Sequence, residues 1–173
     1  MHAAHDTLLH SWQLVAFRDM PSAYQMAIAW YMAVDSRIWS EGDLALDCAI
    51  GCCTTTLKTR LEQAMPRFIG RRGAMLFGMS HMPMDVARQA VLRGADLEAF
   101  DGDWAAYHAW YLSQGGVPEH PANDRWPCIM SQFADELFED GWHRFHSYCR
   151  SGHTDLPVVF FPGRRHRRAA RST

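Results

Sequence analysis

At 173 residues the chain suits one compact domain with a helical attachment, and 48% hydrophobic against 21% charged residues excludes a disordered polymer. A formal charge of −2 at pH 7 excludes bulk attraction to polyanions, and no apolar run reaches the length of a membrane span. The cysteines (Cys48, Cys52, Cys53, Cys128 and Cys149) form no regular framework, which predicts free thiols in a reducing, cytoplasmic setting.

In chain order, residues 1–11 are polar, and Ser11 to Phe17 alternates enough to predict a short strand. Asp19 is placed to cap a helix over Ser22 to Val34, with Pro21 early in its first turn and Tyr24, Ile28, Tyr31 and Met32 at helical spacing. A short helix is expected over Asp43 to Ile50. Another runs from the caps at Thr54–Thr56 to about Met65, with Leu57, Leu61 and Ala64 on one face and Pro66 helping to end it. Residues 1–72 thus read as a helical N-terminal extension, with a seam at Arg71-Arg72-Gly73.

Residues 73–162 read as a small α+β domain, with packed helices around a short mixed sheet. Ala74 to Met79 is its first strand. A helix follows from Ser80 or Pro83 to about Arg93, stopped by Gly94. Asp101 or Asp103 caps the next, densely aromatic helix, which carries Trp104, Tyr107, His108, Tyr111 and Leu112. After a loop over 116–125, Trp126 to Met130 is the second strand. Leu137 and Phe138 then approach the Asp140-Gly141 turn, a helix spans about Trp142 to Arg150, and Gly152 stops it. Leu156 to Phe161 is the closing strand, and Pro157 suits it to an edge or terminal position.

The chemistry gathers at the start of that last helix. Its first backbone N–H groups lack helical partners, its dipole is positive there, and Gly141 lets a ligand approach the backbone. His143 and Arg144 stand in the first turn. Arg144 offers a two-pronged donor for phosphate, and His143 a further donor or a proton-transfer group. Asp140 is a candidate for capping the helix, for holding Mg²⁺ through water, or for accepting from a ribose hydroxyl. On spacing alone, a capped helix with an exposed Arg and a packed His explains the same residues.

The motif Asp-Gly-Trp-His-Arg at 140–144, followed by Gly152 and Leu156-Pro157-Val158-Val159, resembles the ParB/sulfiredoxin superfamily. Met79-Ser-His-Met-Pro-Met-Asp-Val86 and Trp126-Pro-Cys-Ile-Met130 resemble that family's earlier strands, in the same order. The resemblance covers roughly residues 74–162. It implies an ATP or other nucleoside triphosphate site at which the His143-Arg144 pair meets the phosphates. Joined to the residue chemistry above, the expected site has Mg²⁺ at Asp140, cofactor contacts from Gly141, Trp142, His143 and Arg144, and catalytic roles for His143 and Asp140.

Trp142 stands where sulfiredoxins carry their catalytic cysteine, so reduction of sulfinic acids is not expected. The Gly-x-Arg-Arg turn of CTP-driven DNA clamps is missing as well. In size the chain resembles the small plasmid fertility-inhibition proteins, to which nucleotide hydrolysis and DNA cleavage are attributed.

His143 and His146 lie three apart, yet no further ligands follow at zinc-like spacing. Arg164, Arg165, Arg167, Arg168 and Arg171 crowd the C-terminal end, a basic tail of the kind that contacts nucleic-acid phosphates without sequence selectivity. The combined expectation is a nucleotide-binding, ATP-hydrolysing protein acting on or near DNA, with nuclease activity as an extension. The alternatives are a non-enzymatic protein-interaction module and a free-amino-acid kinase.

Overall fold

The structure, a computed structural model, describes residue 9 and residues 11–32, 54–94, 97–114, 126–131 and 137–162. The expected helix at 43–50, the loop at 116–125 and the basic tail at 164–171 lie outside the described residues.

The strands are β1 (Gln13–Ala16), β2 (Leu76–Pro83), β3 (Cys128–Met130), β4 (Phe138–Asp140) and β5 (Asp155–Phe160). The α-helices are α1 (Ser22–Trp30), α2 (Thr54–Arg72), α3 (Met84–Gly94), α4 (Leu97–Phe100), α5 (Trp104–Ser113) and α6 (Trp142–Arg150), and a 3-10 turn spans Phe17–Asp19. The strands form one mixed sheet in the order β1-β2-β5-β3-β4, which makes the fold α+β. β5 pairs antiparallel with β2 and parallel with β3, and β3 pairs antiparallel with β4.

The closing strand is therefore interior, not the edge strand that Pro157 suggested. Pro157 lies opposite His81 of β2, and pairing with β3 begins one residue later, at Val158 opposite Cys128. The apolar run from Leu156 to Phe160 is fully buried, and that burial outweighs the cost of a missing ladder donor.

The chain divides into two compact units. One comprises residues 1–13 with 78–161, the other residues 14–77 with 162–173. In the second unit, Gln25 is buried and its side-chain amide donates to the carbonyls of Phe17 (2.9 Å) and Arg18 (3.2 Å), fixing the start of α1. The α2 helix runs straight through Pro66, where a stop was expected. Leu61, Met65 and Phe68 recur on one face at intervals of four and three and are all buried, so the packed stripe carries the helix past a residue that removes one backbone donor. Its actual end is Gly73, whose N–H bonds the Ile69 carbonyl at 2.8 Å.

In the first unit, Met82, Ala87, Val91, Tyr107, Phe138, Phe145, Leu156 and Val158 belong to one buried cluster drawn from the sheet and the α3, α5 and α6 helices. Asp103 caps α5 as expected, accepting from the backbone of Ala105 at 2.8 Å and Ala106 at 3.3 Å. Gly78 lies opposite Phe160, and any Cβ there would fall inside the Phe160 ring.

Candidate functional site

The turn at 140–144 forms where β4 ends against β3. Asp140 pairs with Ile129, and the chain reverses through Gly141 at φ 102°, ψ 15° before α6 begins. That left-handed conformation is one reason for glycine. The other is space, because a Cβ would sit 2.9 Å from the Cα and 3.0 Å from the Sγ of Cys128. Cys128 Sγ donates to the Gly141 carbonyl at 3.2 Å, and the same carbonyl accepts the first helical bond, from Phe145 N–H at 2.8 Å. Gly141, at the N-cap position, has no side chain with which to cap α6.

Two of the predicted residues pair here. Arg144 reaches back one helical turn to Asp140 and forms an ion pair with its Oδ2. Only 6% of Arg144 is exposed, and its guanidinium carbon also lies 5.9 Å from the centre of the Trp126 ring. The fork that the sequence offered to phosphate is thus engaged internally. Trp142 is half-buried, with its indole N–H donating to the Phe138 carbonyl at 3.2 Å and its ring edge-on to Phe138.

His143 is exposed, and its ring neighbours Tyr111 at 5.9 Å between centroids rather than joining the Asp140–Arg144 pair. The described residues hold no group of three or more His, Cys, Asp or Glu that could bind a metal by themselves.

Cys128 is fully buried, and desolvation pushes its thiol up to about 12, against the smaller opposing influence of Arg144. Such a thiol is a packed group rather than a nucleophile. Cys149 is half-buried and also raised by burial, with Arg88 pulling the other way.

A second constellation was only partly visible in the sequence. Residues 104, 107, 108 and 111 of α5 form the corners of a hole at helical spacing, and His146 of α6 fills it. The His146 ring centroid lies 5.9 Å from Trp104, 5.7 Å from Tyr107, 5.0 Å from His108 and 3.6 Å from Tyr111. His146 is wholly buried, and its Nδ1 lies 2.7 Å from Nδ1 of His108. The aromatic face was readable from its spacing. That a histidine from 38 residues away would fill it was not.

Comparison with protein-family models, with curated proteins and with solved structures finds no match to this chain. No helix among the described residues is long and apolar enough to cross a membrane.

Proposed function

We propose that the 140–144 turn binds the phosphates of a nucleoside triphosphate with Mg²⁺, in a protein of ParB/sulfiredoxin type that hydrolyses the nucleotide and acts on or near DNA. The observation that carries this reading is the open start of α6. A glycine in the left-handed conformation opens the helix and contributes no capping side chain, and the exposed His143 stands in its first turn. In this reading the backbone N–H groups and His143 receive the phosphates. Arg144, paired with Asp140, holds the turn in place and is not an open fork. The C-terminal arginines extend the footprint to nucleic acid.

The closed Asp140–Arg144 pair favours a second reading, in which the turn is purely structural and the protein is an interaction module. Trp110 of α5, 47% exposed beside Phe100, would then lie on the contact surface.

Titration of ¹⁵N-labelled protein with ATP and Mg²⁺ separates the two. The phosphate reading expects shifts at the amides of 142–144 and at the His143 ring, together with a thermal shift equivalent to about 2.7 kcal/mol at a hundredfold excess over Kd. Unmoved amides at 142–144 under saturating ATP and Mg²⁺ would eliminate it. In an ATPase assay, a His143→Ala loss confined to kcat would assign His143 to proton transfer, and a loss confined to KM would assign it to binding.

A further inference from the structure

His108 and His146 meet through like atoms, and that fixes their protonation. A bond between two Nδ1 atoms at 2.7 Å requires exactly one hydrogen between them. Each neutral imidazole carries one N–H, so one ring must be the Nδ1–H tautomer and the other the Nε2–H tautomer. The centroids lie 5.0 Å apart and the planes differ by 12°, so the rings meet nearly edge to edge in one layer. Trp104 is near-parallel to both, and Tyr111 stacks on His146.

The buried ring has a second peculiarity. His146 Nε2 is inaccessible and has no hydrogen-bond partner among the described residues. A proton on His108 is compatible with the bond, because His108 is half-buried and can carry it on Nε2 while donating through Nδ1. A proton on His146 is different, since an imidazolium there places a charged Nε2–H where no acceptor reaches it. If both rings are charged, two Nδ1–H groups face each other.

The groups around the pair offer no relief. From α3 comes Arg88, whose guanidinium carbon lies 5.5 Å from the centre of the Trp104 ring and whose charge opposes protonation of His108. From α6 come Arg150, acting on His108, and His143, acting on His146. The α5 helix, which carries His108, contributes Tyr107 and Tyr111, both of which burial keeps in the neutral phenol form. These neighbours are cationic or neutral.

We propose that His108 and His146 form a pH-operated latch that fastens α5 to α6, closed while His146 is neutral and opened when acid places a proton on it. Opening withdraws His146 from its hole and frees the α5 face carrying Trp104 and Tyr107. The device works independently of any ligand at the 140–144 turn. Burial together with the two neighbouring histidines pushes His146 down to about 3, so the closed state resists protonation across the range in which a freed imidazole accepts it readily.

Amide exchange resolved along the chain, read as protection factors at pH 7.5 and 4.5, tests the latch. Two pH units below an ordinary histidine pKa of about 6.5, opening should be about 100-fold more favourable, so protection within α5 should fall by about that factor. α5 should exchange through an opening smaller than global unfolding, its protection at pH 4.5 lying at least about tenfold below that of β5. In His146→Phe, which keeps an aromatic ring in the hole without a titrating group, α5 protection should be insensitive to this change of pH.

Imidazole ¹⁵N spectra of the unmodified protein need no variant. They should show one Nδ1–H and one Nε2–H tautomer at 108 and 146, with the closed-state His146 neutral at pH 5. The latch is overturned if His146 titrates above pH 5 in the folded protein, if α5 at pH 4.5 is as protected as β5 and so opens only with global unfolding, or if His146→Phe responds to acid as the wild type does.

Discussion

Cys128 lies directly beneath Gly141, its thiol donating to the Gly141 carbonyl at 3.2 Å and its Cα occupying the space where a side chain at 141 would begin. The turn is therefore closed to substitution from two directions. Gly141→Ala must accept φ near 102° and also push against the β3 backbone. The left-handed conformation costs about 1–2 kcal/mol for a residue with a Cβ, and overpacking about 1–3 kcal/mol. Urea denaturation should show a loss of about 2–5 kcal/mol. Adding Cys128→Ala should recover only part, because the nearest clash is with the Cα. Complete recovery would show that the thiol alone excludes a side chain.

Arg144 and Asp140 should behave as a buried pair. Arg144→Ala leaves a carboxylate only 19% exposed facing a vacated space, and uncompensated buried charges of this sort cost about 3 kcal/mol or more. Asp140→Asn with Arg144→Leu removes both charges and should be less damaging than Arg144→Ala alone. A double-mutant cycle by urea denaturation measures the difference, and simple additivity would show that the pair contributes no coupling.

The parts of this structure that were readable in the sequence are those decided locally. Asp140-Gly141 before a helix and Gly152 after it place α6 at Trp142–Arg150, and Asp103 announces α5 through its own side-chain bonds. The misreadings share a different cause. Pro66 is a local stop signal that the buried stripe of Leu61, Met65 and Phe68 overrides, and Pro157 is an edge signal that the burial of Leu156 to Phe160 overrides. Arg144 was read as an open donor because sequence does not show whether a basic side chain turns outward or back to the carboxylate four residues earlier. The His108–His146 contact depends on packing between helices far apart in sequence, and no local pattern announces the partner.

The overridden stop in α2 leads to a stability prediction. Pro66 is exposed at an interior position of the helix, so nothing is gained from its ring, while its missing N–H and its clash with the preceding turn remain. Pro66→Ala should stabilise the protein by about 1–3 kcal/mol, and Gly70→Ala, where an added Cβ meets nothing within 4 Å, by about 0.5–1 kcal/mol. Thermal denaturation monitored by circular dichroism measures both. A destabilised Pro66→Ala protein would mean that the proline sets a bend which the packing of Phe68 requires.

The stability of the whole protein should peak between two buried groups that titrate in opposite directions. His146 is held at about 3, below its ordinary 6.5, so between those values the unfolded chain binds more protons than the folded one. Its contribution is fully present above about pH 6.5 and is lost as the pH falls toward 3. His108, lowered by burial and by Arg88 and Arg150, acts in the same direction. Cys128 is raised from 9.0 to about 12, so its contribution is complete below about pH 9 and is lost as the pH rises toward 12. Each group alone limits the slope to about 1.4 kcal/mol per pH unit. Urea denaturation from pH 4 to 10 should give a dome that is flattest between about 6.5 and 9. His146→Phe should flatten the acid limb alone, and Cys128→Ala the alkaline limb alone. If His146→Phe leaves the acid limb as steep as in the wild type, the buried imidazole is not what acid attacks.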